Sequence, residues 1–221
     1  MNSTKATALS KTHLIPSGQV SLEGELQIPE GATGVVLFAH GSGSSRKSPR
    51  NQFVARTIRQ AGVGTLLFDL LTLEEETVDL RTRHLRFDIG LLANRLVDAT
   101  RWIKKEEGTS HLKIGYFGSS TGGGAALVAA AELGQQISAV VSRGGRPDLA
   151  RDALGQVTAP TLLIVGGLDY SVIQMNKEAY AQMHCEREMK IVSGATHLFE
   201  EPGALEDVAH LAADWFQRYL R

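Results

Sequence analysis

Five consecutive residues, Gly118–Gly122, place Ser120 at the centre of a G-x-S-x-G pattern. This pattern is typical of a sharp strand-to-helix turn that presents a serine hydroxyl as a nucleophile. The backbone crowds against itself two residues before and two residues after the serine, so both positions need glycine. Ser119 fails this test because Phe117 stands two residues before it. The sequence therefore predicts Ser120 as the nucleophile of a covalent reaction.

A serine hydroxyl is a weak nucleophile unless a base removes its proton and an acid orients that base. Among seven histidines, His197 follows the last predicted strand and is the predicted base. Asp169 follows the strand before it, and the order Ser120, Asp169, His197 is the one expected for such a turn on an α/β sheet. Asp148 is the alternative acid, and Asp169 has the alternative role of capping the next helix.

Backbone N–H groups must stabilise the negative charge that develops on a carbonyl oxygen during such a reaction. The loop of residues 40–44 follows an early strand at the same predicted edge of the sheet. We expect the N–H groups of Ser42 and Thr121 to form this oxyanion hole. Arg143 and Arg146 follow another strand at that edge, and one of them is a candidate to bind a substrate carboxylate. The alternative for each is a solvated or structural arginine.

The composition limits the class of protein. The chain has 221 residues, of which 43% are hydrophobic and 21% are charged, as in an ordinary globular domain. The formal net charge is −1, which gives no indication of binding to nucleic acid or to an anionic membrane. The glycine-rich turn contains no G-x-G-x-x-G, which argues against nucleotide binding. We therefore expect a small-molecule substrate, no nucleic-acid or membrane partner, and a monomer or homodimer.

Cys185 is the single cysteine, so an internal disulfide and a cysteine-rich metal site are both excluded. A lone cysteine without a motif is expected to be inert, and this cysteine usage favours a reducing compartment. Residues 1–11 are polar and lack the apolar run of a signal peptide. We predict that they form a flexible tail before a single domain over residues 12–221, in a cytoplasmic protein.

The predicted nucleophile, base and acid need a scaffold that brings several strand ends together. Residues 12–28 alternate apolar and polar positions around a Ser-Gly turn, which predicts an antiparallel hairpin. After it, continuous apolar runs alternate with amphipathic segments, as in buried parallel strands connected by helices. We predict strands at residues 34–39, 63–68, 112–117, 138–141, 161–165 and 189–192, and helices at residues 49–61, 85–103, 121–133, 172–183 and 205–219. Residues 70–83 are predicted as an exposed connection and residues 142–160 as irregular.

Four segments, which begin at His40, Gly118, Gly166 and Gly194, together resemble the α/β-hydrolase superfamily, and within it the dienelactone hydrolase-like proteins. The resemblance runs from about residue 20 to the C-terminus. It implies an α/β-hydrolase fold with a mostly parallel sheet of about eight strands, helices on both faces and a minimal lid. It also implies catalysis without a metal or cofactor and an acyl-enzyme intermediate. Classical members have cysteine as nucleophile, whereas Ser120 stands here, so lactone specificity does not carry over.

The expected function is that of a serine hydrolase that cleaves a carboxylic ester or lactone of a small molecule. Two alternatives remain at this point. The same triad would serve a peptidase or thioesterase, and the same fold would serve a ligand-binding module without turnover.

Overall fold

The computed structural model describes residues 12–221, and the predicted tail at residues 1–11 lies outside them. Within this range eight strands form one sheet: β1 Thr12–Ser17, β2 Val20–Gln27, β3 Gly34–Ala39, β4 Gly64–Phe68, β5 Lys113–Ser119, β6 Ile137–Arg143, β7 Thr161–Gly166 and β8 Arg187–Val192. The α-helices of the same range are α1 Pro49–Gln60, α2 Leu73–Thr82, α3 Ile89–Lys105, α4 Thr121–Leu133, α5 Tyr170–Gln182 and α6 Ala204–Leu220.

The strands follow the order β1-β2-β4-β3-β5-β6-β7-β8 across the sheet. β1 pairs antiparallel with β2 and β2 antiparallel with β4, whereas the other neighbours pair in parallel. The predicted hairpin and the mostly parallel eight-stranded sheet are confirmed. Because parallel strands place their carboxyl ends at one edge, the segments after β3, β5, β6, β7 and β8 meet there.

Successive side chains of a strand point to opposite faces of the sheet, and both faces are covered here. Phe38 of β3 belongs to the same apolar cluster as Phe216 of α6, on the face that α1 and α6 cover. Leu37 belongs to the cluster on the other face, together with Leu96 of α3. Across residues 12–221, none of the helices combines the length and apolarity that crossing a bilayer requires.

Helix α2 lies in the segment of residues 70–83, where an exposed connection was predicted. The hydroxyl of Thr72 accepts a hydrogen bond from the Glu75 N–H at 3.2 Å, and the Glu75 carboxylate accepts one from the Thr72 N–H at 2.9 Å. These two bonds form a capping box, whose Thr-x-x-Glu signature is present in the sequence. The segment is largely exposed, as predicted, but the capping box begins a helix within it that the prediction did not include.

Two further differences from the prediction involve more than two residues. Helix α3 begins at Ile89 and not at Leu85, because the Asp88 carboxylate caps it by accepting a hydrogen bond from the Leu91 N–H at 2.9 Å. The stretch predicted as irregular contains a 3-10 helix at Pro147–Gln156, interrupted at Arg151. Both differences depend on local hydrogen bonds and turns that apolar periodicity does not describe.

Candidate active site

Ser120 lies at the turn between β5 and α4 with φ +51° and ψ −122°, a strained conformation for a residue that is not glycine. A side chain at Gly118 would place its Cβ 2.4 Å from the carbonyl oxygen of Gly122. A side chain at Gly122 would place its Cβ 2.1 Å from the carbonyl oxygen of Ala39. Glycine is therefore required at both positions, and the geometry is that of the predicted nucleophile turn.

Neighbouring backbone fixes this turn in place. The Ser120 N–H donates to the Arg143 carbonyl at 3.2 Å, and the Ser120 carbonyl accepts from the N–H groups of Gly123 at 2.9 Å and Arg146 at 3.0 Å. Ser120 is thus held by the first turn of α4 and by the end of β6. These bonds stabilise a backbone conformation that would otherwise relax.

The imidazole Nδ1 of His197 lies 2.6 Å from the Asp169 carboxylate. With a carboxylate as partner, Nδ1 carries the proton and Nε2 keeps a lone pair, which is the tautomer that a general base needs. Asp169 is at the N-cap position of α5, but its side chain makes no capping hydrogen bond. The alternative role of Asp169 as a helix cap is therefore not supported.

Several contacts bring these residues to the same place at the sheet edge. Gly144 is close to His197, since a Cβ built on it would lie 3.5 Å from the His197 Nδ1. Gly144 directly follows Arg143, whose carbonyl accepts the hydrogen bond from the Ser120 N–H. A Cβ at Gly41 would lie 3.1 Å from the Ser120 Cβ, so the predicted oxyanion loop also adjoins the serine. Among residues 12–221, the Ser120 hydroxyl makes no hydrogen bond to His197. Such bonds are often long before substrate binds.

Asp148, the alternative acid, is paired elsewhere. Its carboxylate accepts two hydrogen bonds from the Arg146 guanidinium, at 2.9 Å from Nε and 2.7 Å from Nη2. This bidentate pair occupies both side chains. The structure therefore brings Asp169, and not Asp148, to the predicted base, and it places Arg146 in a local ion pair.

The predicted oxyanion donors, Ser42 and Thr121, are in direct contact. The Ser42 N–H donates to the Thr121 hydroxyl at 3.1 Å, and the two hydroxyl oxygens lie 3.0 Å apart. Thr121 is the first residue of α4, where N–H groups have no partner within the helix. A carbonyl oxygen that uses the Ser42 N–H must replace or share its bond to Thr121.

His40 supports the loop that carries Ser42, a role that no pattern in the sequence indicates. Its Nε2 accepts a hydrogen bond from the Leu70 N–H at 3.0 Å, and its Nδ1 donates to the Gly41 carbonyl at 3.1 Å. The ring thus joins the segments that follow β3 and β4. Burial lowers the pKa of His40 below its ordinary value, so the neutral form persists in the folded protein.

We expect the free energy of unfolding to fall as pH drops below about 6.5. Below that pH the His40 imidazole is protonated in the unfolded chain but stays neutral when it is buried in the folded protein. One such group contributes at most about 1.4 kcal/mol per pH unit, and its contribution is complete above the unfolded-state pKa. Urea unfolding between pH 8 and pH 5.5 measures this slope. His40→Gln should flatten it and His111→Gln, at an exposed position, should not. Equal slopes in all three proteins would contradict the assignment.

Arg143, one of the two predicted arginines, is a buried cation that has no acidic partner in the part of the chain that the structure describes. Its side chain is 8% exposed, and its Nε and Nη1 atoms have no hydrogen-bond partner within residues 12–221. The guanidinium carbon lies 5.8 Å from the centre of the Phe199 ring, two residues beyond His197. Burial, together with the nearby charge of Arg50, lowers the pKa of Arg143 to about 10, so the group remains charged at neutral pH.

A cavity of about 560 Å³ adjoins the oxyanion loop. Ser42 and Thr121 are among the residues that line it, so the cavity lies next to both predicted oxyanion donors. Its walls combine apolar side chains of the segments that follow β4 with charged side chains: Leu70, Leu71, Leu80, Glu76, Arg50 and Arg86. The cavity is large enough for a small-molecule substrate.

Solved structures with the same fold include a dienelactone hydrolase and the protein Est1E. The dienelactone hydrolase from Anabaena variabilis is 63% identical, with a TM-score of 0.95 over 96% of this chain and 99% of that chain. Est1E from Butyrivibrio proteoclasticus is 17% identical, with a TM-score of 0.78 over 95% of this chain and 98% of that chain. The second likeness shows the fold alone.

A curated relative is named for a different activity. A protein of Mycobacterium tuberculosis named as a phosphoribosyl transferase is 56% identical over 206 residues, which are 93% of this chain and 46% of the relative. The chain therefore spans about half the length of this relative.

The model of the dienelactone hydrolase family matches residues 23–221, which include the Ser120 turn and both members of the Asp169–His197 pair. The match agrees with the resemblance found in the sequence and covers nearly the whole chain. This protein belongs to the dienelactone hydrolase family.

Proposed function

We propose that this chain is a serine hydrolase that cleaves a carboxylic ester or lactone of a small molecule through an acyl-enzyme intermediate. The observation that carries the proposal is the strained Ser120 at φ +51°, at the same sheet edge as the 2.6 Å Asp169–His197 pair. Such strain costs on the order of 1–3 kcal/mol and persists mainly where function uses it. Membership of the dienelactone hydrolase family supports a hydrolase.

The proposed first half of the reaction forms the acyl-enzyme. The Ser120 Oγ attacks the carbonyl carbon while His197 Nε2 removes the hydroxyl proton. Asp169 keeps the proton on Nδ1 and stabilises the imidazolium. The carbonyl oxygen takes the place of the Thr121 hydroxyl at the Ser42 N–H and also accepts from the Thr121 N–H. The imidazolium then protonates the leaving alkoxide as its bond to carbon breaks.

The second half releases the acid. His197 Nε2 removes a proton from a water molecule, and the hydroxide attacks the acyl carbon. The same two N–H groups stabilise the second oxyanion, and the imidazolium returns its proton to Ser120 as the ester bond to the enzyme breaks.

Labelling with a fluorophosphonate tests this proposal directly. The folded wild-type protein should gain one covalent adduct, and peptide mass spectrometry should place it on Ser120. Protein denatured before labelling is the control, because its serine hydroxyls are not activated. The absence of an adduct on Ser120 in folded protein would contradict the proposal.

A substrate panel separates the alternatives on the same fold. Activated esters, lactones, thioesters and peptide amides, tested with Ser120→Ala as the blank, distinguish an esterase from a thioesterase or peptidase. A thermal-shift screen beside it detects ligand binding. Binding without turnover of any activated ester would favour a module that has the fold and no hydrolase activity.

The transferase name of the longer relative does not change this proposal. This chain matches 46% of that relative, and the match includes the Ser120 turn and the Asp169–His197 pair. We infer that the transferase in that name belongs to the part of the relative that this chain does not match. Assays for phosphoribosyl transfer by this chain should therefore show none.

We further propose that the substrate carries a negative charge and that Arg143 binds it. An unpaired guanidinium is costly to bury, and an anion that reaches it would recover the lost hydrogen bonds. Arg143 lies against the ring of Phe199, which is two residues beyond His197, and near Arg50, which lines the cavity. Arg146 is the weaker candidate because Asp148 already binds it.

Arg143→Met should lower the preference for an anionic ester over a neutral one by about 10- to 100-fold, since a hydrogen bond to a charged group contributes about 1.5–3 kcal/mol. The measurement is kcat/KM for 4-nitrophenyl hydrogen succinate relative to 4-nitrophenyl valerate. Arg146→Gln is the matched control and should leave this ratio unchanged. The fold should tolerate Arg143→Met, because methionine replaces a buried unpaired charge. An unchanged ratio in a folded variant would overturn the role of Arg143.

A further inference from the structure

Helix α2 lies beside the cavity but is held mainly by polar contacts. Its apolar side chains Leu73, Val78 and Leu80 are all exposed, at 73%, 49% and 72%. Among its residues only Asp79 is buried. Since α2 buries so little apolar surface, its position depends on polar contacts, and those of Asp79 are the buried ones.

Asp79 binds the segment that follows α2 through several hydrogen bonds. Its carboxylate accepts from the Leu85 N–H at 2.8 Å and the Arg86 N–H at 3.2 Å, and it also accepts from the Arg86 Nε. The Arg86 Nη2 donates to the Asp79 carbonyl at 3.4 Å. The side chain is 2% exposed, so water competes little for these bonds. Asp79 therefore fixes the backbone and the side chain of Arg86 together.

The Arg86 backbone in turn contacts the predicted oxyanion loop. The Arg86 carbonyl accepts a hydrogen bond from the Ser42 hydroxyl at 3.3 Å. The Ser42 hydroxyl also lies 3.0 Å from the Thr121 hydroxyl, which accepts the Ser42 N–H. The Arg86 side chain also lies near Gly43 of this loop, since its Nη1 would be 3.9 Å from a Cβ built on Gly43. A continuous set of contacts thus joins Asp79 to the Ser42 N–H.

We propose that Asp79 is a positioning residue for the oxyanion hole, acting through the Arg86 carbonyl and the Ser42 hydroxyl on the Ser42 N–H. This inference rests on the proposed hydrolase function, because it assigns Asp79 a part in that reaction. Asp79 borders the cavity, but it is 2% exposed and its carboxylate is already bound by Leu85 and Arg86, so we assign it a role through Arg86 and not through contact with the substrate. It sets where the loop places a donor that must meet the developing oxyanion within a few tenths of an ångström.

The first test is the Asp79→Asn variant with an activated ester. We expect kcat to fall about 10-fold with little change in KM, because a displaced oxyanion donor weakens transition-state binding more than ground-state binding. Glu75→Gln is the matched control on the same helix. Glu75 ties α2 to Arg95 and to Thr72, and it does not contact Arg86 or Ser42. It should leave kcat unchanged, because Asp79 keeps its own bonds to Leu85 and Arg86 in this variant.

A double-mutant cycle with Ser42→Ala separates positioning from a general loss of stability. Ser42→Ala keeps the N–H but removes the hydroxyl through which Asp79 is proposed to act. If each single variant lowers kcat about 10-fold, the double variant should also be lowered about 10-fold, and not about 100-fold. Multiplicative effects, or an equal loss of kcat in Glu75→Gln, would overturn the proposal.

The same experiment distinguishes failure of this inference from failure of the proposed function. If the wild type is labelled on Ser120 and hydrolyses esters, but the effects in the cycle are multiplicative, the proposed function stands and the proposed role of Asp79 fails. If the wild type is neither labelled nor active on esters, both the proposed function and the proposed role of Asp79 fail. Urea unfolding of each variant at the assay temperature shows that the compared proteins are folded, and a kcat loss that disappears when activity is corrected for the folded fraction also counts against positioning.

Discussion

Ser120→Ala is expected to lower kcat/KM for activated esters by about 10⁵-fold or more, close to the loss found when the serine of a triad is removed. The reason is that no other hydroxyl lies at the turn between β5 and α4 with the backbone geometry of residue 120. The activity that remains should come from binding and from the oxyanion donors acting on attack by water. Initial rates on 4-nitrophenyl esters measure the loss, and fluorophosphonate labelling should disappear with it.

Ser119→Ala is the matched control, since it removes the neighbouring hydroxyl from the end of β5. Ser119 is 2% exposed and its register partner is Arg143, so its side chain is not in the position of a nucleophile at the turn. This variant should keep its rate within a few-fold and keep the label on Ser120. An active Ser120→Ala, or a label that moves to Ser119 in the wild type, would end the case for a Ser120 nucleophile.

Asp169→Asn is expected to lower kcat about 10⁴-fold with a small change in KM. The asparagine amide would present a donor to His197 Nδ1, which favours the tautomer whose lone pair faces away from the serine. The imidazolium would also lose its charge partner, now 2.6 Å away. The loss should be smaller at high pH, where hydroxide can replace the general base. Rates between pH 6 and pH 10 measure both effects.

Asp148→Asn is the control for this variant, because Asp148 is the other acid that the sequence offers. Its carboxylate is bound by Arg146, so the substitution should change kcat by no more than a few-fold. Comparable losses in the two variants would show that the acid is shared or wrongly assigned. A near-normal rate in Asp169→Asn would remove Asp169 from the mechanism.

The strands of the sheet and the helices that connect most of them followed closely from local pattern, whereas the order of the strands across the sheet was not predicted. Continuous apolar runs such as residues 34–39 mark strands covered on both faces, and the strand and helix boundaries around Ser120 agree with the prediction to within two residues. The errors lie where polar contacts decide the structure. Helix α2 has no buried apolar face, so its periodicity carried no signal, and only the capping box of Thr72 and Glu75 indicated its start.

The sequence by itself determined the nucleophile turn, because the glycines at 118 and 122 and the serine between them reflect steric limits of a few neighbouring residues. It also determined the chain order of the candidate serine, acid and base. Only the tertiary structure decided which aspartate meets His197, since Asp169 and Asp148 differ in their partners and not in their chemistry. Only the tertiary structure likewise showed that Arg143 has guanidinium nitrogens without a partner within residues 12–221, and that Asp79 binds the segment after α2. Partner choice among charged groups depends on distances through space, and spacing along the chain does not encode those distances.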